Sequence, residues 1–210
     1  MFAYCNNNPV NFEDSTGFAL FPCTVCVDDG GLGYPIYPCV AKSPDEQIYG
    51  VINGQGNLPY SDTRIGLGSY GKSGCAYITI YNALQLIHQP IPLGDISKDV
   101  LINYGTLLIG AGGVPPWNME NYFAANGIET MGSYSYKALT AGIKEGDVIV
   151  FTVLNNKSNV FKGWHAMTAL YTCGNYLIFN QYNDLPSYKA YTELNEAFSE
   201  GVWIYGFRIN

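Results

Sequence analysis

Three apolar runs between residues 147 and 183, DVIVFTVL, GWHAMTALY and YLIFNQYN, constrain this chain more than any other feature. Each is rich in β-branched and aromatic side chains and reads as a strand. The second and third are separated only by the turn Thr172-Cys173-Gly174-Asn175. So short a connection permits antiparallel pairing and excludes a parallel crossover, which needs about a dozen residues or more. A last strand, VWIYGFRI, follows a short helix in TELNEAFSEG.

Helical patterns precede this block. In GCAYITIYNALQLIHQ, residues 74–89, Tyr77, Ile80, Tyr81, Leu84 and Ile87 recur at helical spacing, and Pro90 and Pro92 end the run. The β-branched Ile78-Thr79-Ile80 forms helix weakly, so burial on more than one face must support it. Asp95 or Ser97 is placed to cap a helix reaching about Tyr104, and Asn118 to cap MENYFAAN, with Gly127 as its stop. IETMGSYS reads as a strand, and YKALTAGIKEGD as a short helix and turn. Helices first and then a mostly antiparallel sheet make an α+β fold. Residues 1–65 hold turn clusters such as DDGGLGYP and only short strand candidates (FALFP, YPCVA, QIYGVI). They read as an irregular N-terminal segment or small lobe, and 66–210 as the main domain.

Charge narrows the function. The net charge is −7, with no basic run, which argues against nucleic acid and anionic membranes as partners. No stretch approaches the roughly 18 apolar residues of a membrane span. The start, MFAYCNNNPV, lacks a basic region followed by an apolar one, so a cytoplasmic, reducing location and free thiols are expected. Of six cysteines, Cys5, Cys23, Cys26 and Cys39 crowd the N-terminal segment. Their spacing is open to zinc ligation, a redox pair or plain packed thiols. A lone C-x-x-C with no helix after it favours packed thiols, so no metal or cofactor is assigned.

Residues 66–73, GLGSYGKS, fit the phosphate-loop pattern G-x-x-x-x-G-K-[ST], with Lys72 on phosphate and Ser73 on magnesium. Such a loop follows a strand buried on both faces, and here the preceding GQGNLPYSDTRI is polar and holds Pro59. Nor does an aspartate end a later strand to serve the magnesium. The alternative is that the loop presents Cys75 at a helix N-terminus, where a thiolate is favoured. A thiolate needs an imidazole. His88 lies 13 residues along the same helix, roughly 20 Å away at the helical rise. That leaves His165. The third group that orients such a ring is Asn180 at the end of YLIFN, with Asn183 and Asp184 as alternatives.

GSYGKSGCAYITIYNAL, followed by GWHAMTALYTCGNYLIFNQYND, resembles the papain-like cysteine peptidases, and most closely the bacterial subgroup that resembles bacteriocin-leader-processing peptidases. AGIKEGDVIVFTVLN is similar to the same group, and the likeness spans about residues 66–184. It implies a papain-like catalytic domain in which a nucleophile-bearing central helix packs on an antiparallel sheet. It implies Cys75 as nucleophile, His165 as base and then acid, Asn180 as orienting group, and the Cys75 N–H as an oxyanion donor. The family's side-chain donor, often Gln, sits about six residues before the cysteine, where this chain has Ser69. Ser69, Tyr70 or Gln55, folding back from the N-terminal segment, could replace it. Loss of such a donor costs about 100–1000-fold in rate. The expected function is therefore a thiol hydrolase acting on a peptide or amide. The rivals are a weak or inactive binding or structural protein on the same fold, which Ser69 favours, and a nucleotide-binding protein.

Overall fold

The structure, a computed structural model, describes residues 50–155 and 163–209. Cys5, Cys23, Cys26 and Cys39, with the strand candidates FALFP and YPCVA, lie outside the described residues. Two-residue strands β1 (Arg64–Ile65) and β2 (Gly68–Ser69) form a hairpin that leads into α1 (Tyr70–Ser73) and α2 (Cys75–Leu86). Next come α3 (Leu93–Asp99), continued by a wider turn Val100–Tyr104, and α4 (Pro116–Ala125). The remainder is β3 (Thr130–Ser133), α5 (Tyr136–Thr140), β4 (Val148–Leu154), β5 (Trp164–Thr172), β6 (Asn175–Phe179), β7 (Lys189–Tyr191) and β8 (Val202–Ile209). The six strands β3 to β8 form one sheet in the order β3-β8-β4-β5-β6-β7, every pair antiparallel. The fold is α+β, as the order of apolar patterns predicts.

α2 is the central helix. Ala76 to Ile80 and Asn82 to Leu86 are all buried. This is the burial on several faces that its weak propensity requires. Tyr77, Ile80, Ala83 and Leu84 pack with Val148, Val150, Ala166 and Leu170 of the sheet. Each large apolar side chain so buried contributes about 1.5–3 kcal/mol. The Thr168 hydroxyl donates to the Thr79 carbonyl at 3.0 Å, fixing how far α2 slides along β5. The other sheet face packs Ile149, Phe151, Met167 and Ile178 against Leu139 of α5 and Leu194 of a single-turn helix Leu194–Phe198.

Two expected caps differ. α3 begins at Leu93 after Pro92, and Ser97 lies inside it, bonded to Tyr70 Oη and the Leu93 carbonyl. α4 begins at Pro116, since proline suits a first helical turn, so Asn118 sits inside that turn and donates to the carbonyls of Tyr104 and Gly105. Gly127 does end α4, at φ 75°. β7 and the β1–β2 hairpin have too few residues to show a period in the sequence.

Residues 51–57 lie on this body. Val51 is buried in the core, and buried Asn82 of α2 pairs both polar side-chain atoms with the backbone of Ile52, at 2.7 and 2.8 Å. Among the described residues, no helix is long and apolar enough to cross a membrane, and no cluster of His, Cys, Asp and Glu could hold a metal.

Candidate active site

The site begins with a break in a helix. Gly74 separates α1 from α2, and no helical hydrogen bond crosses it, so the N–H groups at the start of α2 stay unpaired within the ladder. Glycine is required there by space. A Cβ on Gly74 would lie 2.4 Å from the Tyr70 carbonyl oxygen and 2.7 Å from the Tyr70 Cα, both backbone atoms. Gly66 and Gly68 are needed for a similar reason. The Cβ position of Gly66 falls 2.1 Å from backbone Ile109 O, while that of Gly68 is tight against Gly110 O at 3.0 Å and Ala111 Cα at 3.2 Å and meets the Ser73 hydroxyl, which can turn aside. These glycines thus serve packing of the hairpin and α1. Lys72 is exposed and Ser73 Oγ donates to Ser69 O at 3.2 Å, so neither is arranged around an anion.

Half-buried Cys75 opens α2 and neighbours His165 at the start of β5, close enough for each to act on the other's charge. His165 is only 8% exposed. Its Nε2 lies 2.6 Å from the main-chain carbonyl of Asn180. A carbonyl only accepts, so Nε2 carries the proton, and Nδ1 is left to face the thiol. Burial pushes the Cys75 thiol up. The hydrogen bond and charge of His165, with the backbone N–H groups of Ala166 and Ala76, outweigh it and hold the thiol below its ordinary value. Burial likewise pulls the His165 imidazole down. The bond and charge of the Cys75 thiolate and the Asn180 carbonyl outweigh that and hold it above its ordinary value. The two opposite displacements have one cause: each group favours the charged form of the other, a thiolate beside an imidazolium.

Asn180 follows β6 in the left-handed region at φ 56° and is fully buried. Its carbonyl meets the histidine, while its side chain turns the other way. Nδ2 donates to Gln55 Oε1 at 2.8 Å, and Oδ1 accepts from the Gln55 backbone N–H at 3.3 Å. The Gln55 side chain, 1% exposed, also donates from Nε2 to the Gly71 carbonyl at 3.3 Å. Asn53 Oδ1 accepts the Asn180 backbone N–H at 2.8 Å.

Cys75, His165, Asn180 and Gln55 are therefore brought to one place. Ser69 caps α1 without a side-chain cap bond, and Tyr70 is buried against Ser97. Asn183 and Asp184 are exposed, and each uses its carbonyl, to Gly56 N–H at 2.7 Å and to Asn57 Nδ2 at 2.8 Å. Sequence reasoning missed Asn53 and the use of a main-chain carbonyl on His165. The available signal was the run Asn53-Gly54-Gln55-Gly56-Asn57, amides spaced by glycines. A cavity of about 590 Å³ adjoins His165, walled also by Val153, Met167, Gln181, Glu196 and Glu200.

No protein-family model and no curated protein matches the chain. Among solved structures it is similar to the peptidase domain of Streptococcus ComA, a bi-functional ABC transporter involved in a quorum sensing pathway. The identity is 11% and the TM-score 0.46, over 64% of this chain and 89% of that one.

Proposed function

We propose that this protein is a papain-like thiol hydrolase that cleaves a peptide or another amide. The observation that carries the reading is a buried His165, its tautomer fixed by the Asn180 carbonyl, set beside Cys75 at a helix start so that each favours the other's charged form. The Cys75 thiolate attacks the amide carbonyl carbon. Negative charge then develops on the carbonyl oxygen, beside the unpaired N–H of Cys75. Gln55 Nε2, which has a second hydrogen beyond the one given to Gly71, is the proposed side-chain donor in place of Ser69. As the C–N bond breaks, the His165 imidazolium gives its Nδ1 proton to the leaving nitrogen. His165 then takes a proton from water, which attacks the thioester and releases a carboxylic acid and the free thiolate. Asn180 orients His165 through its carbonyl. The Nε2–H bond persists in both charge states of the ring, so the ring need not turn between the two steps.

The test is cleavage of a mixed synthetic peptide library, followed by mass spectrometry. Cleavage by the wild type and none by Cys75→Ala or His165→Ala is expected. Equal cleavage by wild type and Cys75→Ala, or none by any form, would overturn the reading in favour of a binding or structural role.

A further inference from the structure

Gln55 sits 20 residues before Cys75 and 125 before Asn180, yet its one side chain touches the supports of both reacting groups. On the sheet side it pairs with Asn180, whose carbonyl holds His165. On the helix side it occupies the carbonyl of Gly71, one turn before Cys75. In an unbroken helix the Cys75 N–H would bond that carbonyl. Here the ladder is interrupted at Gly74, and the Gln55 amide takes its place.

The local chain is shaped for this. Gly54 stands at φ 64°, and a Cβ there would lie 2.8 Å from Leu185 O. A Cβ on Gly56 would lie 2.9 Å from Asn183 O. Both glycines let the turn press against residues 180–185. Asn53, Gly56 and Asn57 add hydrogen bonds to the same stretch, and Asn82 ties Ile52 to α2. A left-handed Asn180 with every polar group bonded is held in one orientation.

We infer that Gln55 is a positioning residue for the Cys75–His165 pair, a cross-strap that aims the Asn180 carbonyl at His165 and keeps the Gly71 carbonyl from closing over the Cys75 N–H. This rests on the proposed function. It goes beyond a donor role for Gln55, because an oxyanion donor acts only on a substrate, whereas a strap sets the pair in the free protein.

Two readouts without substrate test it in the full chain. The first is iodoacetamide alkylation of Cys75 against pH, resolved by peptide mapping. The second is nuclear magnetic resonance of the His165 ring nitrogens. In Gln55→Ala the Cys75 thiol should move up toward its ordinary value, and each pH unit of that rise slows alkylation near about pH 6 by about tenfold. The Nε2–H signal of His165 should lose its protection. Asn180→Gly keeps the carbonyl and tolerates the positive φ, yet removes the paired amide, so it should act in the same direction. The double variant should be little worse than the worse single one, because both cut one link. A folded Gln55→Ala with a wild-type thiol profile and a protected Nε2–H overturns the strap. Should Gln55→Ala not fold, wild-type behaviour of Asn180→Gly overturns it. The two claims fail differently. An ordinary, His165-independent thiol in the wild type defeats the proposed function, whereas a lowered wild-type thiol unchanged in these variants defeats only the strap.

Discussion

At Cys75 burial and partnership oppose each other, and the outcome sets a pH window. Cys75 must lose its proton, which occurs below the 9.0 of a free thiol because its partners favour the thiolate. His165 must keep its proton, which persists above the 6.5 of a free imidazole because the thiolate and the Asn180 carbonyl favour it. Reactivity carried by the pair should therefore rise along an acid limb centred below 9.0 and fall along an alkaline limb centred above 6.5. A pH–rate profile checks this, and a single limb at an ordinary thiol value would contradict it. Gly74 is the other decisive residue. Its φ of −81° suits any residue, so the objection to a side chain is space alone. Gly74→Ala must push Tyr70 backbone away, at a cost of about 1–3 kcal/mol in thermal stability. It should lower Cys75 reactivity as well, because α2 begins at the next residue.

The strongest elements were the most legible in the sequence. β4, β5 and β6 are long and apolar, and the hairpin at Thr172–Asn175 is announced by its glycine. That turn has positive φ at both central residues, 48° at Cys173 and 75° at Gly174, where Asn-Gly is the favoured pair. Cys173→Asn should thus stabilise the protein by up to about 1 kcal/mol, read as a rise of about 2–4 °C in Tm. No change, or a fall, would contradict the turn assignment. The seating of α2 is testable too. Thr168→Val removes the hydroxyl bonded to Thr79 and should cost about 1 kcal/mol in denaturant unfolding. Elements that escaped the sequence are those made by long-range contact. The starts of α3 and α4 follow prolines and tertiary bonds, so the polar residues that resemble caps were spent inside the helices.

Across the whole molecule, chain distance hides what space assembles. Cys75 and His165 were legible because a helix start and a strand start each carry a local signature. Asn180 was legible as a position, but its carbonyl, rather than its amide, meets the histidine, and no sequence pattern distinguishes the two. The contribution of residues 53–57 to the site exists only once α2 and the β6 end lie side by side. The most direct measurement on the Cys75–His165 pair is the pH dependence of Cys75 alkylation, compared between the wild type and His165→Ala. The wild-type thiol should react below its ordinary pKa, and the reactivity of the variant should return to that ordinary value. A Cys75 with the same ordinary profile in both proteins would contradict the thiolate–imidazolium pair and the catalytic reading built on it.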